Sequence, residues 1–149
     1  IALTLVEPSP AMRNKLKKRV FRLGKQVEIV SSKGEILPFP DDSFDSIVST
    51  LVLCSVSDLN AVLAEINRVL KPDGAFYFYE HVAAGKGVTR LFQNVLNPMW
   101  KMWARGCNLN RDIEADIQKA GFSLVEVTRF GMPISPPINR PSIVGVAWA

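Results

Sequence analysis

Two cysteines, Cys54 and Cys107, are the whole thiol content of this 149-residue sequence. They allow one bridge at most, which excludes a disulfide framework and a metal quartet built from cysteine. No metal is expected on that count, and an intracellular location, cytoplasmic or peripheral to a membrane, is. No apolar run approaches the 18 or more residues of a bilayer span. The nearest, Ile47 to Val56, is broken by Ser49, Thr50 and Ser55. Charge of one sign is not in large excess either: 18 Lys and Arg stand against 14 Asp and Glu, a net +4 that selects no partner by itself. Histidine is scarce, with His81 alone, and neither repeats nor low-complexity stretches occur. The first residue is Ile1, not Met, without the charged flank of a secretory signal, so the expectation is that something upstream is missing. What remains, 48% hydrophobic and 21% charged, is the composition of one domain with a core of its own over residues 1–149.

Local patterns alternate. Residues 2–6 form a short apolar run ended by Glu7-Pro8-Ser9-Pro10, which reads as a buried strand followed by a turn. Ser9 suits an N-cap and Pro10 the first helical position; Met12, Leu16, Val20 and Leu23 recur at helical spacing up to Gly24. Strands are expected at Val27–Val30 and from Phe44 to about Leu53, separated by the proline turn Leu37 to Asp42. A helix capped at Ser57 or Asp58 carries Leu59, Val62, Leu63, Ile66, Val69 and Leu70, and the β-prone run Ala75–Val82 follows Lys71-Pro72-Asp73-Gly74. Residues 91–103 are crowded with apolar side chains and predict two short helices kinked at Pro98. Asn110 is the expected cap of a helix to Ala120, and strands close the chain at Phe122–Phe130 and Ile143–Trp148. Such alternation argues for a mostly parallel sheet covered by helices.

Three features in order, the strand ending in Glu7, the turn Leu37-Pro38-Phe39-Pro40-Asp41-Asp42-Ser43-Phe44-Asp45, and Leu70-Lys71-Pro72-Asp73-Gly74-Ala75, resemble class I S-adenosylmethionine-dependent methyltransferases. A narrower resemblance is to the alkyl-thiol S-methyltransferases of the methyltransferase-like protein seven group. It rests on Thr50 to Val56, on Gly74 to Phe78 with Glu80 to Ala84, and on Gly106-Cys107-Asn108-Leu109 with Arg111. The resemblance implies an α/β, Rossmann-like sheet, mostly parallel with an antiparallel last strand. The family orders its seven strands 3-2-1-4-5-7-6, and this chain would supply the second to seventh. The first strand and its glycine-rich turn are then missing, because the only GxG, Gly85-Lys86-Gly87, follows the fifth strand. A gap between the flanking strands would leave unpaired edges for another segment or chain to fill.

The same resemblance implies S-adenosylmethionine as cofactor and methyl transfer to a small-molecule acceptor, most simply a thiol. A non-catalytic module that binds a partner chain through the open sheet is the alternative. Glu7, at a strand's carboxyl end, suits two ribose hydroxyls, with Pro8 against the adenine face. Gly34 and Glu35 match the adenine-edge loop, although Lys33 stands where an acid or amide is usual and offers no acceptor. Thr50 and Leu51 end the next strand and are further cofactor contacts. His81 is the candidate base for deprotonating a thiol, with Glu80 as its orienting partner. Cys54 reads as a small buried hydrophobe, and Cys107 as a packing or loop residue. Trp100 and Trp103 suit an apolar acceptor lid, or contact with a membrane surface. Seven cations between Arg13 and Lys25 read as the solvated face of an amphipathic helix, so nucleic acid is not an expected partner.

Overall fold

The computed structural model describes residues 2–133 and 135–149, without the side chains of residues 124 and 125. Strand β1 (Thr4–Val6) leads into helix α1 (Pro10–Arg22), and β2 (Glu28–Val30) returns parallel to β1. Ser9 caps α1 by accepting from the Met12 amide. Beyond the proline turn come β3 (Phe44–Thr50), α2 (Leu59–Val69) and β4 (Leu70–His81). Helix α3 (Val88–Trp103), helix α4 (Ile113–Lys119), β5 (Ser123–Gly131) and β6 (Pro141–Trp148) complete the chain.

The strands form two sheets, β1-β2 and β3-β4-β6-β5. β3 and β4 are parallel, whereas β6 runs antiparallel to both β4 and β5. Laid end to end, this is the expected order with one position unfilled, and among the described residues no strand pairs between β1 and β3. The turn at Lys71-Pro72-Asp73-Gly74 is absorbed into β4 as a bulge: Phe44 pairs with Leu70 but Ser46 with Ala75. Gly74 is needed there, since a Cβ would lie 2.7 Å from the Lys71 carbonyl.

Helices α2 and α4 press on one face of the larger sheet. Leu63, Ile113 and Ile117 lose all contact with solvent against Phe76, Phe78, Phe122 and Ile143. Helix α1 buries nothing fully, and its cations are exposed apart from Arg13, which is half-buried against the Glu7 and Pro8 carbonyls. The proline turn is tied to α2 by Arg68, which donates to Leu37 O at 2.9 Å and to Phe39 O and Asp41 at 2.8 Å, while Glu65 accepts from the Leu37 amide at 2.6 Å.

Two sequence expectations need correction. Residues 88–103 form one helix with Pro98 inside it, not two. Anchors on both sides of the proline hold one axis: Gln93 receives the Ala84 amide and donates to Ile138 O, Asn97 receives the Leu109 amide, and Trp100 packs on the core. A proline forfeits one backbone bond, and such contacts can outweigh that loss. The cap of α4 is Asp112, which accepts from Ala115 N, and not Asn110, whose amide donates instead to Asn94.

Candidate active site

Strand tips position most of the candidate residues. At the end of β1 the Glu7 carboxylate accepts from the Ser9 amide at 2.8 Å, and its backbone pairs with Val30. Glu7 also lines an open groove of about 250 Å³ with Met12, Lys15, Leu16 and Arg19. Pro8 is exposed beside it, with Arg13 donating to its carbonyl at 2.7 Å. After β2, Gly34 packs toward α2, where an added Cβ would meet Val62 at 3.4 Å. The Glu35 carboxylate accepts from the amides of Ser57 and Asp58, which fixes the start of α2 and helps hold that carboxyl below its ordinary range despite the opposing effect of burial. Its side chain is therefore engaged in joining two loops. Thr50 is exposed at the tip of β3, and Leu51 turns the chain with a φ of 54°, its amide on Tyr79 O. A non-glycine residue in that region is uncommon and strained.

Glu80 and His81 stand next to each other on β4 and therefore point to opposite sides. Glu80 is fully buried and gathers four donors. Ser49 Oγ, Val52 N and Leu53 N reach one oxygen at 2.9, 2.9 and 3.1 Å, and Cys54 N reaches the other at 3.3 Å. It makes no bond to His81 and so does not orient it; its role is to fold residues 51–54 across the end of the sheet. Arg111 secures the same segment from outside, donating to Leu53 O at 2.6 Å and Val56 O at 2.7 Å.

His81 is 4% exposed, and its Nε2 lies 2.7 Å from Cys107 Sγ. Its Nδ1 is buried without a hydrogen-bond partner among the described residues. Cys107 also receives the Trp100 indole N–H at 3.3 Å, and Cys54 completes the cluster. Asn108 joins the two cysteine segments through both its backbone and side-chain nitrogens on Cys54 O. Gly106, with a φ of 91° and only 3.1 Å between an ideal Cβ and Ser55 O, lets the Cys107 loop come this close.

A hydrogen bond from the Cys54 thiol, with further ones from His81 and Trp100, brings the Cys107 thiol down to about 4 against the opposing cost of burial. The same thiol–thiol bond and burial push Cys54 up. Cys107 is thus the more acidic member of a buried pair, which its sequence neighbours did not foretell. The separation of 26 positions between His81 and Cys107 hid the contact, and only the resemblance of Gly106 to Leu109 had singled this stretch out. Trp103, the other expected lid residue, is 81% exposed, and the apolar residues Leu91, Phe92, Val95, Met99 and Met102 of α3 are exposed with it.

Residues 1–78 match the model of a family described as methyltransferase domain. The chain belongs to that family. It is 37% identical to the human thiol S-methyltransferase TMT1A (Homo sapiens) and 40% identical to the thiol S-methyltransferase TMT1B of Rattus norvegicus, in each case over 97% of this chain and 61% of the relative. The chain thus spans about three fifths of the length of these relatives, and the narrower resemblance to thiol S-methyltransferases is borne out. Among solved structures, a putative methyltransferase from Bacillus halodurans superposes with a TM-score of 0.81 at 16% identity, covering 99% of this chain and 83% of that one. That likeness shows the Rossmann-like α/β fold.

Proposed function

We propose that this chain carries cofactor-binding strand ends and the acceptor side of an S-adenosylmethionine-dependent thiol S-methyltransferase. The observation that carries the reading is a methyltransferase-type strand order combined with 37–40% identity to two thiol S-methyltransferases. Ligands of open α/β sheets bind outside the carboxyl ends of strands, where the order switches. Here that place is the tips of β1 and β3, with a partly buried acid, Glu7, at one and the strained Thr50–Leu51 turn at the other. These residues fit the ligand in kind. Glu7 would accept the ribose hydroxyls, Pro8 would face the adenine, and Gly34 would border its edge. Glu35 would hold that loop to α2, and Thr50 and Leu51 would touch the cofactor from β3.

When bound, the cofactor supplies an electrophilic methyl group on a sulfonium. The chain's own task is to align a thiol with it and remove the thiol proton. Alignment of this kind is worth about 7–11 kcal/mol of barrier. His81 is the only imidazole and the candidate base, and it serves an incoming thiol by exchanging its contact with Cys107. The exposed apolar face of α3 is the side on which a lipophilic acceptor, or the membrane surface carrying it, would approach. The unpaired edges of β1 and β3 would take up a strand from another segment or chain.

Calorimetry with S-adenosylmethionine, paired with mass spectrometry of a small alkyl thiol incubated with both, tests the proposal. The expected result is cofactor binding weakened by Glu7→Ala and formation of the methyl thioether. Binding unchanged in Glu7→Ala would remove the ribose assignment. Cofactor binding without any thioether, in an assembly with its sheet complete, would overturn the thiol reading.

A further inference from the structure

We infer that Cys54 Sγ, His81 Nε2 and Cys107 Sγ form a three-donor site for a soft divalent cation, Zn(II). The three donor atoms lie within 4.8 Å of one another, all three residues are buried, and they come from three separate segments: the turn after β3, the tip of β4 and the loop after α3. Around a tetrahedral zinc, with Zn–S about 2.3 Å and Zn–N about 2.0–2.1 Å, sulfurs stand about 3.8 Å apart and sulfur and nitrogen about 3.5 Å apart. The His81–Cys107 contact of 2.7 Å is shorter, and no pair exceeds 4.8 Å, so admitting an ion asks each donor to shift by about 1 Å or less.

The donor chemistry is selective. Two thiolates and an imidazole suit zinc and reject magnesium or calcium, which take oxygen. The charges also balance, since one divalent cation and two thiolates sum to zero in a buried place where an unpaired charge would be costly. The nearest carboxylate on the same strand, Glu80, has both oxygens committed to Ser49 and the 52–54 amides and does not compete. The frame is built before the ion arrives. Asn108 fastens the two cysteine segments together, and His81 is held in register opposite Ser142 of β6.

Three protein donors are the number found at catalytic zinc centres, whose fourth position stays open to water or substrate. A thiol is the soft donor suited to that position and would be held there as its thiolate. This extension rests on the thiol reading of the preceding section and puts the cation in place of His81 as what removes the thiol proton, since an imidazole bound through Nε2 has no lone pair left there; the three-donor site does not rest on that reading.

The full chain, freed of metal with a chelator and kept reduced with a phosphine, is titrated with Zn(II) against a chromophoric zinc indicator, and separately with Co(II). One ion per chain is expected, with thiolate-to-cobalt charge-transfer bands. Cys54→Ser and Cys107→Ser should each weaken binding about tenfold or more while far-UV circular dichroism stays unchanged. If either variant fails to fold, X-ray absorption at the zinc edge of the wild type decides instead, with two sulfurs and an imidazole nitrogen expected. Failure to hold zinc against the indicator, or a shell of nitrogen and oxygen alone, overturns the site. Adding a small alkyl thiol to the cobalt form should shift its visible spectrum, and an unchanged spectrum overturns the open position. None of these readouts needs S-adenosylmethionine or turnover, so loss of methyl transfer with the metal in place would count against the proposed function and not against the site.

Discussion

Removing the Glu80 carboxylate should unfasten the turn that carries Leu51 and Cys54. Glu80 is fully buried and receives three backbone amides and one hydroxyl, so Glu80→Ala strips four donors at once. A buried donor left without a partner costs about 1–3 kcal/mol, and the lower bound for the three buried ones, Ser49 Oγ and the Leu53 and Cys54 amides, already gives a loss of about 3 kcal/mol. For a chain of this size that corresponds to a melting temperature lower by roughly 6–12 °C. Glu80→Gln offers a sharper comparison. Its amide oxygen can still receive Ser49, Val52 and Leu53, but its NH₂ group then faces the Cys54 amide, so one bond becomes a donor–donor contact costing about 1–3 kcal/mol. Urea unfolding of the wild type, both variants and Glu126→Ala, an exposed control on β5, measures the series. The expected order of stability is wild type and control together, then Glu80→Gln, then Glu80→Ala. A Glu80→Ala protein within about 1 kcal/mol of wild type, or no gap between the two variants, would refute the hydrogen-bond argument.

Gly145→Ala should destabilise by about 1–3 kcal/mol, read from the denaturant midpoint, because the new methyl would press on the Glu126 carbonyl and stand 2.7 Å from Phe78 Cζ. Glu65 is held down to about 2, chiefly by the Arg68 guanidinium. Its native pKa lies below the unfolded value of 4.5, so its contribution is present above that value and is lost as pH falls toward 2. The stability gap between wild type and Glu65→Gln should accordingly narrow over that window. For Cys107, depressed from 9.0 to about 4, the native state binds the proton less tightly than the unfolded chain. One thiolate's ultraviolet absorbance should persist through neutrality, vanish as pH falls through about 4, and be missing from Cys107→Ser. The accompanying stability is present above 9.0 and drains away as pH falls toward 4.

Periodicity and punctuation made the elements legible: Ser9-Pro10 before a helical apolar stripe, Asp58 before another, and β-prone runs bounded by Pro and Gly turns. These signals are local, since capping and alternation act over a few residues of chain. The continuous helix through Pro98 escaped because what holds it, Gln93 on Ile138 and Asn97 on Leu109, lies outside the helix. The residue types at the strand tips, Glu7, Thr50 and Leu51, could be named from position alone; their partners could not.

The meeting of Cys54, His81 and Cys107, and the four donors closing on Glu80, were settled only when β3, β4 and the loop after α3 were brought to one end of the sheet. Sequence by itself determined which segments become strands and helices and which of their faces are apolar. Tertiary packing decided which polar groups share a buried space, because hydrogen bonds and sulfur contacts between residues dozens of positions apart depend on strand order and register, which no short window of chain encodes.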